Sequence, residues 1–291
     1  MNSTFREKLE TLWAQGKSVC VGLDSELEKI PEHIRQESVF SSLYRFNAAI
    51  VDATKDVVCA YKPNSAFYEA HGDRGLAALR ATIQHINEVA PNVPVILDAK
   101  RADIGNTNAG YEQAAFDYLK ADALTVHPYL GKEALAPFLA RTDKGIIILC
   151  RTSNPGAGEF QDLQVFTGEM DTDPVMGIRP ITKPLYQVVA EQVAGKWNNN
   201  GNCAVVVGAT YPHELKDVRR IVGDMPILIP GIGAQGGDIE KTVKAGKRVD
   251  GGGMIINSSR GIIFASSGTD FAEAARRETL KLHETINQFR Q

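Results

Sequence analysis

The stretch VPVILDAKRADIGNT, residues 93–107, opens on a short apolar run and closes on charge. Val93–Asp98 has the length of a strand and no strict polar alternation, as expected of a parallel strand buried on both faces. Asp98 ends the run and Lys100 follows two residues later. Residues two apart share one face of a strand, so both side chains are expected at the strand's C-terminal mouth. Asp103 falls on the turn or at a helix start, where a bland alternative is a salt bridge plus a helix N-cap.

Seven further runs of the same kind lie along the chain: Ser18–Leu23, Val57–Lys62, Asp122–His127, Gly145–Cys150, Cys203–Gly208, Pro226–Pro230 and Gly253–Asn257. Amphipathic stretches separate them. Leu43–Thr54 places Leu43, Phe46, Ala49 and Ile50 on one helical face, and Leu76–Ala90 does the same with Leu79, Ile83, Ile86 and Val89. Tyr111–Lys120, Lys132–Arg141, Pro184–Trp197, Glu214–Val222, Asp238–Ala245 and Phe271–Phe289 are further candidate helices. Eight strands alternating with helices predict a (β/α)8 TIM barrel of the α/β class, residues 1–291 forming a single domain. An open doubly wound sheet is the competitor, and the count of eight favours the barrel.

One connection is too long for a simple turn. The Gly-, Pro- and Asp-rich segment of about residues 154–184, after the fifth strand, shows no clear helix. Loops of this length are usually lids or insertions, and this one is expected to rise over the barrel mouth.

The 291 residues carry a formal charge of -3, which implies no basic surface for nucleic acid. No apolar run approaches the roughly 20 residues of a membrane helix, and the polar, mixed-charge segment Met1–Gly16 lacks the pattern of a signal peptide. Cys20, Cys59, Cys150 and Cys203 sit far apart in apolar runs and read as buried free thiols in a reducing, cytoplasmic compartment. No cofactor or metal site is expected. Trp13 and Trp197 read as packing residues, and His127, at the end of the fourth strand, as structural.

Barrel active sites gather at the C-terminal strand ends. That rule singles out Asp24, Lys62, Asp98, Lys100, Ser153, Gln235 and Arg260. Gly231, Gly233, Gly236 and Gly237 let backbone N–H groups approach an anion closely, at the loop where barrels often bind phosphate. Arg260 follows the next strand and has the planar fork that suits a phosphate.

The same residues carry a family resemblance. Asp98-Ala99-Lys100-Arg101-Ala102-Asp103-Ile104-Gly105-Asn106-Thr107 resembles the DxKxxDIxNT signature of orotidine 5'-monophosphate decarboxylases, with Ala102 where the family often has glycine. VGLD ending at Asp24, AYKPN with Lys62, RTSNPGAG with Ser153, VVGAT ending at Thr210, PGIGAQGGD and NSSRGI follow in barrel order, so the resemblance spans roughly Val19 to Ile262. The length and the insertion resemble the larger bacterial form.

The resemblance implies a cofactor-free decarboxylation that makes UMP from a nucleotide substrate. Lys100 is the expected proton donor to C6 of the pyrimidine, with Asp98 beside the substrate carboxylate. Lys62 and Asp103 complete a Lys–Asp–Lys–Asp array. The family pattern also implies a homodimer in which Asp103 and Thr107 serve the partner's site. Asp24 is expected at the ribose hydroxyls, Ser153 at the pyrimidine, Pro230 along the base pocket, and Gln235 with Arg260 at the phosphate. A Schiff-base aldolase, a metal-dependent sugar-phosphate enzyme of a related barrel and a non-catalytic phospho-ligand sensor are the alternatives.

Overall fold

A computed structural model of the chain describes residues 3–35, 38–173, 177–232 and 237–290. Its strands, in chain order, are β1 (Val19–Gly22), β2 (Ala60–Lys62), β3 (Ile96–Arg101), β4 (Ala123–Val126), β5 (Gly145–Arg151), β6 (Gln164–Asp173), β7 (Gly177–Pro184), β8 (Cys203–Val207), β9 (Ile227–Pro230) and β10 (Met254–Ser258). Eight of them run parallel and make the barrel, ordered β2-β1-β10-β9-β8-β5-β4-β3. Parallel bridges Tyr61–Val95 and Asn64–Asp98 join the two remaining edges and close the ring. The intervening β6 and β7 stand apart as an antiparallel hairpin.

Period-two alternation sorts the side chains. On β5, Ile146 and Ile148 face the outer helices, whereas Ile147 faces the barrel interior. Inside, Ala60, Ala123 and Ala204 stand among Ile96, Ile147, Leu228 and Ile255, so small and large side chains share the confined space. Outside, helices such as Val39–Thr54, Gly72–Val89 and Phe271–Phe289 bury their apolar stripes against the sheet.

Two local expectations need correction, and one element is new. The N-terminal segment, for which no element is expected from the sequence, is a helix, Phe5–Ala14, opened by a capping box between Thr4 and Glu7. Its Phe5, Leu9, Leu12 and Trp13 join the interior cluster, and the Trp13 indole N–H donates to the Met254 carbonyl at 2.7 Å. This helix plugs the end of the barrel where the strands begin. Phe5 lies so close to Gly145 that a Cβ there would stand 2.3 Å from its ring. The helix expected over Lys132–Arg141 is instead two single turns, Gly131–Ala134 and Ala136–Leu139. Pro137, in the first turn of the second, has no N–H to continue the first. The insertion after β5 is likewise more than the expected loop: after a 3-10 turn (Pro155–Ala157) and a short helix (Gly158–Gln161), the hairpin occupies most of it.

Candidate active site

Because all eight barrel strands are parallel, their C-terminal ends meet on one rim, opposite the N-terminal plug. Lys62 ends β2, and Asp98 and Lys100 are the third and fifth of the six residues of β3. The Lys62 ammonium donates to Asp98 Oδ2 at 2.9 Å, and the Lys100 ammonium donates to Asp98 Oδ1 at 2.7 Å. Asp24 Oδ1 lies 3.8 Å from Lys62 Nζ, close enough for attraction but too long for a hydrogen bond, and this buried oxygen has no hydrogen-bond donor among the described residues.

Burial decides how these charges behave. The Lys62 side chain is only 4% exposed, whereas that of Lys100 is 49% exposed. Burial by itself would push Asp98 up, yet the Lys62 and Lys100 ammoniums beside it outweigh that and hold its carboxyl well below the usual carboxylate range. Burial likewise disfavours the Lys62 cation, but Asp98 and Asp24 overcompensate and raise it above the ordinary lysine value. Lys62 and Asp98 are thus a locked, charged pair, and Lys100 is the cation that leans into open space.

The backbone under Lys100 is unusual. Its φ is +47°, a left-handed conformation that costs a non-glycine residue about 1–2 kcal/mol. Such strain persists only where the surroundings over-determine it, typically at functional sites. Here β3 bulges: Leu97 pairs with Leu124 and Arg101 with Val126, so residues 98–100 lie opposite Thr125 alone.

Asp103 does not join the array of its own chain. It has no ion pair among the described residues, and its Oδ1 accepts from the Ile104 amide at 2.8 Å. Buried Asn108 pins this turn: its side chain accepts from the Asp103 amide at 2.7 Å and donates to the carbonyls of Asp103 and Ala134. Residues 104–107, Thr107 included, are exposed.

The other rim candidates fall at the same end. Ser153 follows β5 and packs against Gly208, where a Cβ would come within 2.7 Å of the Ser153 Cβ. Pro230 closes β9 and its carbonyl accepts from the Ala209 amide at 2.8 Å. The Gly237 amide donates to the Gly231 carbonyl at 3.3 Å, and Gly237 has no room for a side chain, since a Cβ would lie 2.7 Å from that of Ala209. Gly231 has φ +101°, open to glycine at no cost. Gln235, Gly233 and Gly236 lie outside the described residues. Arg260 stands exposed just past β10, and Ser259 ties that end to β1 by donating to the Gly22 carbonyl at 3.0 Å. His127 has a structural role: Nε2 lies 3.1 Å from the Ala102 carbonyl and Nδ1 takes the Tyr129 amide, which fixes the Nε2–H tautomer.

Comparison with known proteins follows the same lines. The family model described as "Orotidine 5'-phosphate decarboxylase / HUMPS family" matches residues 17–277. The chain belongs to this family. It is 50% identical over 288 residues, 99% of both chains, to the orotidine 5'-phosphate decarboxylase of Cupriavidus metallidurans. The solved structure of Leishmania donovani OMP decarboxylase superposes with a TM-score of 0.79 at 35% identity, covering 97% of this chain and 98% of that one. Leishmania donovani UMP synthase gives 0.83 at 37%, where 99% of this chain matches 57% of the longer one.

Within this decarboxylase family member, several polar groups near the rim are not among the residues that the sequence pattern marks as site candidates. Thr125 stands inside the array, its hydroxyl 2.9 Å from Asp98 Oδ1. Asn257 Oδ1 and Thr210 Oγ1 are buried near strand ends with no partner among the described residues. Arg151, also buried, joins the insertion to the rim: its guanidinium donates to Gln161 Oε1 and Asp162 Oδ2 at 3.3 and 3.1 Å and covers the Tyr211 ring at 4.1 Å.

Proposed function

We propose that this protein decarboxylates orotidine 5'-monophosphate to UMP, the step that completes UMP synthesis, with the Lys62–Asp98–Lys100 array as its chemical centre. The observation that carries this reading is the pinning of Asp98 between two ammoniums while Lys100 remains half exposed. When the C6–carboxylate bond breaks, CO2 leaves and the electron pair stays on C6. A cation at C6 stabilises that charge and then supplies the proton. Lys100 has the position and the exposure to do both, and its neutral amine regains a proton from solvent. Asp98, held charged, stands beside the departing carboxylate and repels it until CO2 is gone.

The remaining rim residues divide by chemistry. Asp24, whose buried Oδ1 has no hydrogen-bond donor among the described residues, suits ribose hydroxyls; Ser153 and Pro230 suit the pyrimidine; Arg260 and Gln235 suit the 5'-phosphate beside the glycines. Residues 1–291 are read as one barrel domain, with the 154–184 insertion as a lid. The chain is read as a cytoplasmic homodimer. Four buried free thiols support the compartment. Asp103, without an ion pair among the described residues and next to 62% exposed Ile104, supports a site completed by Asp103 and Thr107 of a second copy.

The Schiff-base alternative needs a lysine that loses its proton easily. Lys62 is shifted the opposite way, and Lys100 is held against Asp98. A metal-dependent reading meets a carboxylate whose two oxygens are already taken by cations. Following the loss of orotidine 5'-monophosphate absorbance with purified protein in EDTA decides the matter. Sustained turnover is expected; its absence would overturn the reading.

A further inference from the structure

We propose that Thr125 is a positioning residue for the decarboxylation, its hydroxyl fixing both the bulged backbone of Lys100 and the carboxylate of Asp98. The inference rests on the decarboxylase reading above and assigns a role to a side chain that reading leaves idle.

Thr125 sits on β4, 1% exposed, directly opposite the three-residue bulge of β3. In a regular parallel pair the amides of Ala99 and Lys100 would not both need a side-chain acceptor. Here the bulge breaks the ladder, and both N–H groups converge on Thr125 Oγ1, at 3.1 and 3.0 Å. Backbone N–H groups shielded even in part from water are paired almost without exception, and this oxygen takes the place of the carbonyl that the broken ladder does not offer them. The hydroxyl's own proton goes to Asp98 Oδ1 at 2.9 Å, the same oxygen that receives the Lys100 ammonium.

One oxygen therefore has two tasks. As acceptor it holds Lys100 in its left-handed conformation, which aims the ammonium. As donor it sets the rotation of the Asp98 carboxylate, leaving Oδ2 for Lys62. The residue type is specified by these three bonds. Valine has the same shape but neither acceptor nor donor. Serine keeps the hydroxyl and loses a methyl. A residue present only for packing in a strand would behave in the reverse order, since valine packs there as well as threonine.

The test compares T125V and T125S with wild type for kcat and KM on orotidine 5'-monophosphate, for UMP affinity by calorimetry and for thermal unfolding. T125V is expected to lose about ten- to a hundredfold in kcat, the effect of losing a hydrogen bond to a charged group, with KM and UMP affinity within about threefold. T125S is expected to recover at least tenfold over T125V. A folded T125V with wild-type kcat overturns the inference, as does a T125S no better than T125V. If T125V does not fold, T125S and T125A are compared instead, and a kcat advantage of serine below tenfold overturns it. Wild-type protein without turnover overturns the decarboxylase reading and this inference together; wild-type turnover with an unimpaired valine variant overturns this inference alone.

Discussion

Lys100 reaches back along its own strand to Asp98, Nζ to Oδ1 at 2.7 Å, from a backbone with φ +47°. The two residues are two apart in sequence and would share a face on any regular strand. The bulge between Leu97 and Arg101 adds the turn that brings their charges together. If Lys100 supplies the proton to C6, then Lys100→Ala removes both the acid and the stabilising charge. The expected loss in kcat is at least about 10⁴-fold, from two effects each worth about 10²-fold or more. Single-turnover decarboxylation should fall equally, while UMP binding stays within about tenfold. A variant retaining a tenth of wild-type kcat would remove Lys100 from the chemistry.

The charges of the array also make a prediction about pH. Asp98 has its folded value depressed, so the stability it contributes is complete above the ordinary carboxylate range near 4 and is lost as pH falls through the folded value. Lys62 is raised, so its contribution is complete below about 10 and is lost as pH rises through its folded value. Asp98→Asn should therefore show a shallower loss of unfolding free energy than wild type between pH 5 and 2, read by urea titrations at fixed pH. Parallel curves would mean that the Asp98 charge is not tied to the fold.

Much of this centre is legible in the amino-acid sequence. Lys62, Asp98 and Lys100 are charges placed directly after apolar strands, and a closed parallel barrel brings such ends together. Thr125 is not legible there, because its role depends on a register in which three residues face one, and pattern alone does not reveal a bulge. The pairing of β6 with β7 is hidden for another reason: β7 is exposed or half exposed along its length, so no alternation marks it, and Gly168 and Pro180 read as breakers. The N-terminal helix does leave a signal, the Thr4/Glu7 capping box and the spacing of Phe5, Leu9, Leu12 and Trp13, but charged residues dilute it.

That helix gives a prediction independent of the chemistry. Phe5 is buried at the end of the barrel remote from the rim, against Gly145. Phe5→Ala should cost about 3–5 kcal/mol, the usual range for a large core truncation. The kcat of the protein that remains folded should match wild type. Thermal unfolding and assays well below the transition separate the two. An unchanged melting temperature would show that the plug does not support the barrel.

The phosphate assignment is tested at Arg260. The side chain is exposed, without an ion pair among the described residues, and follows the eighth barrel strand, whose Asn257 pairs with Pro230 just before Gly231. Arg260→Ala should weaken UMP affinity by about ten- to a hundredfold, as expected for a charge-assisted bond to phosphate. It should also slow decarboxylation, because binding energy far from the reacting atom supports the chemical step. The discriminating measurement is uridine, which lacks the phosphate: its affinity should be the same in both proteins. A matched loss for uridine and UMP would place Arg260 elsewhere.

The last prediction concerns the partner. Asp103 makes no ion pair in its own chain among the described residues, and Asn108 holds its turn outward while residues 104–107 stand exposed. A two-fold interface would let each copy give its Asp103 to the other's array, yielding two equivalent sites. Lys100→Ala and Asp103→Ala proteins should each be nearly inactive as homodimers. In a heterodimer, one site would carry both lesions and the other neither. Random exchange of equal amounts makes half of the dimers mixed, and half of the sites in those are intact. Activity should therefore return to about a quarter of wild type per total site. The measurement is the decarboxylation rate after mixing, with exchange verified by differently tagged subunits. If mixed dimers form and the rate stays at the level of the single variants, Asp103 serves its own chain, and the outward turn at Asn108 needs another explanation.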